Sequence, residues 1–166
     1  PLYLDKAEAL KGLKSSNDQE VVTTIINTLD DAFWGTRRKA LETVKTMAVA
    51  DTSLLKNKLL WMAQKDEKSS VRAEAIATLA DKFGGDKNVQ TVIEGAMKEL
   101  SYAVLGAALR AIGSYDSEKG LAMAKQIEED ASGSLISSIG TLYSQKGGAD
   151  ELPFFISSID KISDPN

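Results

Sequence analysis

The stretch DEKSSVRAEAIATLADKFGGDK, residues 66–87, decides the fold. An acidic turn precedes an apolar pattern in which Val71, Ala75 and Leu79 recur at the spacing of one helix face. The glycine pair that follows suits the end of a helix, where the backbone often adopts a positive φ. The stretch therefore predicts an amphipathic helix with one buried face and defined ends.

The same small–aliphatic–x–x–aliphatic phrase occurs five times along the chain. The copies are Ala9-Leu10…Leu13, Ala40-Leu41…Val44, Ala75-Ile76…Leu79, Ala108-Leu109…Ile112 and Ser138-Ile139…Leu142. Their second residues are separated by 31, 35, 33 and 30 residues, a near-regular step that is typical of repeat proteins.

A second apolar pattern with helical spacing follows each copy, and no part of the sequence sustains the alternation of a strand. The apolar positions of these second helices are Val22, Ile25, Ile26 and Leu29; Leu55, Leu59 and Met62; Val89, Val92, Ile93, Ala96 and Leu100; Leu121, Ala124 and Ile127; and Leu152, Phe155, Ile159 and Ile162. Each repeat is therefore expected to contain two helices.

We predict an all-α fold of about ten helices in five antiparallel hairpins, within a single domain that spans residues 1–166. A hairpin of about 30 residues cannot bury its own apolar stripe, whereas stacking on its neighbours buries it and produces a curved α-α superhelix. The acidic turn followed by V-R-x-x-A-x-x-x-L resembles HEAT and armadillo-like repeats, solenoids of this kind. In such repeats the arginine, here Arg72, pairs with a nearby acid or binds a carbonyl group.

The composition excludes several classes of function. The chain contains no cysteine and no histidine, which removes disulfides, Ser-His and Cys-His catalysis, and the ligands that zinc prefers. The net charge is -4 and the chain lacks the basic stripe of a nucleic-acid-binding protein. No apolar run approaches the roughly 20 residues of a membrane span. We therefore predict a soluble chain with no catalytic residue, no metal site and no cofactor, and with neither nucleic acid nor membrane as a partner.

The stretch DDAFWGTRRKALETV, residues 30–44, carries most of the candidate site residues. Phe33 and Trp34 stand together at the start of a helix, where they either fill the gap between stacked hairpins or form exposed anchors between domains. Arg37 opens the only basic triplet, which has a structural or solvated role or binds a phosphate or an acidic partner. Tyr102 stands at the start of another helix, where its hydroxyl requires a partner.

Two phrases resemble the C-terminal helical-repeat region of bacterial M1-family zinc aminopeptidases, whose repeats are HEAT-like. In that family an acidic residue and F-W-x-x-R precede one helix, and S-Y-x-V-x-x-A-A-L precedes another. The matching residues are Asp31, Phe33, Trp34 and Arg37 for the first phrase and Ser101, Tyr102, Val104, Ala107, Ala108 and Leu109 for the second. The likeness covers about residues 30–160, and its motifs are moderately specific.

The resemblance implies a non-catalytic domain that curves over the catalytic domain of a zinc aminopeptidase and limits its cavity to short peptides. In the family an upstream domain binds zinc through H-E-x-x-H and a distant Glu, so zinc is expected only in the parent protein. The expected partners are that upstream domain of the same chain and a peptide substrate. An apolar docking face is expected near Leu2, Tyr3 and Leu4. The expected anchors, between domains or within the fold, are Phe33, Trp34, Arg37 and Tyr102.

Two other hypotheses share the repeat pattern. A free-standing HEAT-like scaffold would bind another protein on its concave face. A repeat lyase that acts on a chromophore-bearing protein shares the V-R-x-x-A phrase.

The sequence begins with Pro1, so we expect a fragment of a longer protein or a processed mature chain. The sequence leaves open whether the parent protein is exported or cytoplasmic.

Overall fold

The computed structural model describes residues 3–13, 18–48 and 52–163. Within these ranges all regular structure is helical, and ten α-helices follow one another along the chain. They are α1 (Tyr3–Leu13), α2 (Gln19–Thr28), α3 (Trp34–Thr46), α4 (Thr52–Lys65), α5 (Ser69–Phe83), α6 (Lys87–Gly95), α7 (Tyr102–Tyr115), α8 (Ser117–Ile127), α9 (Ser134–Lys146) and α10 (Leu152–Ser163). Short 3-10 turns at Ala96–Lys98 and Ala149–Glu151 follow α6 and precede α10.

The helices form two layers that advance along the chain. In the first layer α1, α3, α5, α7 and α9 lie side by side, each against the next. In the second layer α2 packs against α3, α4 against α5, and α10 against α9, while α6 and α8 each contact the first-layer helices on both sides. Each repeat thus contacts its sequence neighbours. This arrangement confirms the predicted all-α superhelix.

The five apolar phrases supply the core between the layers. The second residue of every phrase is buried: Leu10, Leu41, Ile76, Leu109 and Ile139. One apolar cluster extends from α1 to α7 and another from α7 to α10, and Met97 and Met123 pack against both. Ala9, the first residue of the first phrase, is exposed because α1 stands at the end of its layer. The repeat phrases therefore predict the core positions correctly except at this end.

Two of the predicted second-helix stripes need correction. Leu100 is 97% exposed because α6 ends at Gly95 and the following turn breaks the helical register. Among residues 152–159 of α10, whose burial the structure describes, Phe154 and Ser158 are buried, whereas Leu152, which the stripe placed inside, is exposed. The other members of that stripe do not restore it: Ile159 is exposed, Phe155 is half-buried and the side chain of Ile162 lies outside the described residues.

The rotation of α10 has a local cause. The ring of Phe154 packs edge-to-face on Tyr143 of α9, with 5.2 Å between the ring centroids. In the first layer α10 packs mainly against α9, so one principal neighbour selects which of two adjacent aromatic residues points inward. The sequence pattern, which assumes contact on both sides, selects the wrong one.

Helices α7 and α8 approach each other at two glycines, Gly113 and Gly120. A Cβ atom added to Gly120 would lie 2.6 Å from the Cα atom of Gly113, and one added to Gly113 would lie 2.3 Å from Cδ1 of Leu142. Both distances are too short for real contacts, and the first is to backbone, which cannot turn aside. The glycine pair therefore permits the close packing of this hairpin.

We expect Gly120→Ala to lower the free energy of unfolding by about 1 kcal/mol, because overpacking of about 1–3 kcal/mol exceeds the gain of up to about 1 kcal/mol in helix propensity. Gly95→Ala is the matched control, since nothing lies within 4 Å of its added Cβ atom. The control should stabilise the protein by about 0.5–1 kcal/mol. Urea denaturation measures both, and equal stabilisation by the two substitutions would contradict the close approach.

Candidate functional site

Arg37 is a buried structural anchor that joins two repeats. It lies in the first turn of α3 and is 8% exposed. Its Nε and Nη2 atoms donate to the two carboxylate oxygens of Asp66 at 2.7 and 2.8 Å, and Nη1 donates to the carbonyl oxygens of Asp31 and Ala32 at 2.9 and 3.1 Å. The hydrogen bond to Asp66 raises the pKa of Arg37 above its ordinary value. Because these N–H groups are already bound within the protein, Arg37 cannot offer two parallel N–H donors to a ligand.

A contact of the same kind occurs in the next repeat. Arg72 donates through Nη1 to the carbonyl oxygen of Asp66 at 2.8 Å and through Nη2 to the carboxylate of Glu99 at 2.9 Å. One repeat earlier, Lys6 of α1 binds the carboxylate of Asp31 at 2.5 Å. In each case a cation of a first-layer helix reaches the turn that precedes the next first-layer helix. We call these three contacts the inter-repeat ladder.

The acids of the ladder also shape the turns that carry them. An oxygen of Asp31 accepts a hydrogen bond from the backbone N–H of Phe33 at 2.8 Å, and an oxygen of Asp66 accepts one from Lys68 at 3.0 Å. The hydrogen bonds from Lys6 and from the Phe33 N–H hold the pKa of Asp31 below its ordinary value. Asp31 and Asp66 therefore each fix the start of the helix that follows and bind the preceding repeat.

Phe33 and Trp34 have different environments although they are adjacent. Trp34 is half-buried and packs against the core, and Phe33 is 44% exposed. The ring of Tyr3 packs edge-to-face on Phe33, with centroids 5.1 Å apart, and Leu4 beside it is 73% exposed. We call Tyr3, Leu4, Phe33 and Trp34 the N-terminal aromatic edge. The structure thus places one ring of the pair in each of the two environments that the sequence left open.

Tyr102 stands at the first position of α7, as Trp34 does in α3, and is 43% exposed. The neighbouring Leu100 is also exposed, so this turn presents apolar surface. The four predicted anchors therefore do not form one site. Phe33 and Trp34 belong to the N-terminal aromatic edge, Arg37 lies beneath the surface, and Tyr102 stands at the start of α7, two first-layer helices away.

A groove runs across the first layer on the face formed by α3, α5, α7 and α9. One depression of about 610 Å³ is continuous with another of about 410 Å³, since Ala77, Ala107 and Arg110 line both. Most of the floor consists of small side chains: Ser70, Ala73, Ala103, Ser134, Ser137 and Thr141. The charged lining residues are Arg38, Glu42, Lys45, Glu74, Asp81 and Arg110.

Two patterns of polar and small residues in the sequence indicate the inter-repeat ladder and the groove, which the apolar pattern does not indicate. An acid followed six residues later by arginine occurs at Asp31 and Arg37 and again at Asp66 and Arg72. The spacing of Ala73 and Ala77, and of Ala103 and Ala107, places small residues on one face of consecutive first-layer helices. A repeat alignment by these positions would have found both the ladder and the groove.

Neither a cluster of metal-binding side chains nor a comparison with known proteins indicates a function. In the described ranges, no group of three or more Asp or Glu side chains could hold a metal ion. No helix of that same part of the chain has the length and apolarity to cross a membrane. No protein-family model, curated protein or solved structure matches the sequence.

We expect Asp66→Asn to lower the free energy of unfolding by about 3 kcal/mol, because the buried guanidinium of Arg37 then keeps only the exposed Glu67 carboxylate, 3.7 Å away, as a charge partner. Arg38→Gln is the matched control: the adjacent arginine binds Glu42 at 3.6 Å on the surface, and its loss should cost less than about 1 kcal/mol. Chemical denaturation followed by circular dichroism measures both. Similar losses in the free energy of unfolding for the two substitutions would show that the buried contact of Arg37 contributes no more to stability than a surface ion pair.

The Asp31 carboxylate should make stability depend on pH in the acid range. Its pKa is lowered by folding, so its contribution is complete above the ordinary value of 3.8 and is lost as the pH falls through the lower folded value. In Asp31→Asn and in Lys6→Met, thermal melts between about pH 6 and pH 2 should therefore show a smaller loss of stability than the wild type. Parallel curves for all three proteins would contradict this linkage.

Proposed function

We propose that the chain is a non-catalytic helical-repeat domain that docks on a catalytic domain through its N-terminal aromatic edge. The resemblance of its two phrases to M1-family sequences supports a zinc aminopeptidase as the parent protein, with this domain covering the active-site cavity and gating the access of peptides. Zinc would be held by the catalytic domain, because this chain has neither histidine nor cysteine to bind it.

The observation that carries this proposal is the exposure of the N-terminal aromatic edge. Leu4, Tyr3 and Phe33 present large apolar groups to solvent, and a depression of about 280 Å³ lies beside them, lined in part by Gly35 and Arg38. Arg38 stands 6.0 Å from the Trp34 ring. Aromatic rings and arginine together are enriched at protein interfaces and depleted on free surfaces. The edge also coincides with the docking face expected near Tyr3 and Leu4; Leu2 lies outside the described residues.

The groove favours a second candidate function. A free-standing scaffold would bind a partner polypeptide on the face of α3, α5, α7 and α9, where small side chains allow a backbone to approach closely. This function needs no catalytic domain and no use of the aromatic edge. The two candidates therefore assign different surfaces to the principal contact and can be separated by substitution.

The docking proposal is tested with the upstream region of the parent gene. We expect that region to encode H-E-x-x-H and, expressed separately, to bind this chain in calorimetry. The double substitution Leu4→Ser and Phe33→Ser should weaken binding at least about tenfold, because it removes apolar contact area from the interface. Leu100→Ser is the matched control, since Leu100 is exposed but lies in another turn.

The same pair of proteins tests the gating. Addition of the chain to the catalytic domain should lower the cleavage of long peptides more than that of dipeptide analogues. An upstream sequence without H-E-x-x-H would end the aminopeptidase assignment. Equal binding by the edge variant and the wild type would end the proposed use of the edge.

A further inference from the structure

Arg110 differs from the other arginines of the chain. Arg37, Arg38 and Arg72 each bind a carboxylate, whereas Arg110 has no ion pair with any described residue. It projects from α7 into the groove, where Nη1 donates to the hydroxyl of Ser138 on α9. The remaining N–H groups of this guanidinium have no protein acceptor in the described part of the chain. The groove thus contains a cation held in place with most of its donors unused.

Arg110 lies at the solvent-exposed surface of the groove and is only partly desolvated. Desolvation lowers the pKa of Arg110, and the Glu74 carboxylate on α5, too far away for an ion pair, offsets only part of the effect. Because the side chain is exposed, an anion can reach its remaining N–H groups from solvent. A carboxylate can accept two parallel N–H bonds from such a fork.

The position of the guanidinium is built into the backbone. A Cβ atom added to Gly106 would lie 2.2 Å from Oγ of Ser138 and 3.4 Å from Nη1 of Arg110. Ser138 is itself buried and donates its hydroxyl to the carbonyl oxygen of Ser134 at 3.0 Å. Glycine on α7 therefore leaves the space in which the serine and the guanidinium meet, and the hydroxyl fixes one end of the fork.

The groove has the length of a short extended peptide. Four helices side by side span three interaxial distances of about 8–10 Å, or roughly 24–30 Å in all. An extended chain advances about 3.3 Å per residue, so about eight residues would cross the groove. The depression beneath them, about 610 Å³, is floored by alanine and serine, which keep a backbone close to the helices.

The charges of the groove favour a peptide over a polyanion. Glu74 and Asp81 on α5 form no ion pair with the described residues, and Glu42 lies on α3. These three carboxylates face three lining cations, Arg38, Lys45 and Arg110, so the groove offers no continuous positive stripe to a nucleic acid or a polyphosphate. They tolerate a ligand with a single carboxylate placed over α7 and can attract basic groups placed over α5.

We propose that the groove binds an extended peptide of about eight residues and that a carboxylate of this peptide pairs with Arg110, positioned by Ser138 and Gly106. The carboxylate belongs to an acidic side chain, because a peptide that crosses all four helices has its termini over α3 and α9 and not over α7. This inference rests on the second candidate function, whose ligand it specifies, and is independent of the docking through the N-terminal aromatic edge.

The test measures binding of fluorescein-labelled peptides of about eight residues by fluorescence anisotropy. The host is a Gly-Ser-Ala sequence with an amidated C-terminus, in which one Glu, Gln or Lys is scanned through every position. A further host peptide carries a free C-terminal carboxylate and no acidic side chain. With the wild-type chain, at least one carboxylate peptide should bind about tenfold more tightly than its neutral counterpart. The gain is expected from a Glu side chain, and a gain from the free C-terminus alone would overturn this assignment.

Substitutions of the guanidinium make the test specific. Arg110→Gln should remove the preference for the carboxylate peptide, and Arg110→Glu should invert it in favour of the Lys peptide. Lys56→Gln, which changes an ion-paired cation of α4 outside the groove, should leave the preference for the carboxylate unchanged. Circular dichroism and melting temperature verify that each variant is folded.

A second pair of variants tests the groove itself. Ala103→Trp fills the depression at an exposed position of α7 and should abolish binding of every peptide. Ala122→Trp, at an exposed position of the second-layer helix α8, is the matched control and should bind normally. Equal affinity of carboxylate and neutral peptides for the wild type, or no binding of any peptide, would overturn the proposal. These results leave the docking test unaffected, since that test uses other residues and another partner.

Discussion

The fold depends on buried contacts between a cation of one repeat and an acid of the next, of which Arg37 with Asp66 is the most enclosed. A repeat of two helices cannot bury its own apolar stripe, so each unit needs its neighbour at a fixed distance and angle. Apolar packing supplies the driving force but tolerates sliding, whereas a two-pronged guanidinium–carboxylate contact has one geometry. Because Asp66 also caps the turn before α5, the same carboxylate fixes where that helix starts and where α3 lies against it. Its contribution is positional, since desolvation offsets much of the Coulombic gain of a buried pair.

The inter-repeat ladder ends at α7, whose arginine lies in the groove instead. Counting six residues beyond Glu99, as from Asp31 to Arg37, leads to Leu105, so α7 has no cation at the ladder position. Its arginine, Arg110, lies farther along the helix and on the groove face, where Ser138 replaces an acid as its neighbour. Close packing of α7 with α9 requires Gly106, and small residues on the first-layer helices leave the groove open. The packing that stacks the repeats thus also leaves a groove that contains an arginine without an ion pair among the described residues.

Apolar spacing in the sequence was sufficient for the fold and insufficient for its polar contacts. The phrases around Leu41, Ile76 and Leu109 located the core because helices with neighbours on both sides have one buried stripe. At α10 the same rule failed, because one principal neighbour and the adjacent rings of Phe154 and Phe155 make two registers equally compatible with the pattern. The partner of Arg37 lies 29 residues away, a distance at which no local rule operates. Whether Phe33 or Trp34 faces solvent depends on the position of Tyr3, which only the packing of α1 on α3 determines.

A double-mutant cycle on Arg37 and Asp66 tests the central claim most directly. The free energies of unfolding of the wild type, Arg37→Gln, Asp66→Asn and the double variant give the coupling between the two side chains. If the pair fixes the stacking of successive repeats, the double variant should be more stable than the sum of the single losses predicts, with a coupling energy above about 2 kcal/mol. Additive effects, within about 0.5 kcal/mol, would contradict the account, because the two groups would then stabilise the protein independently.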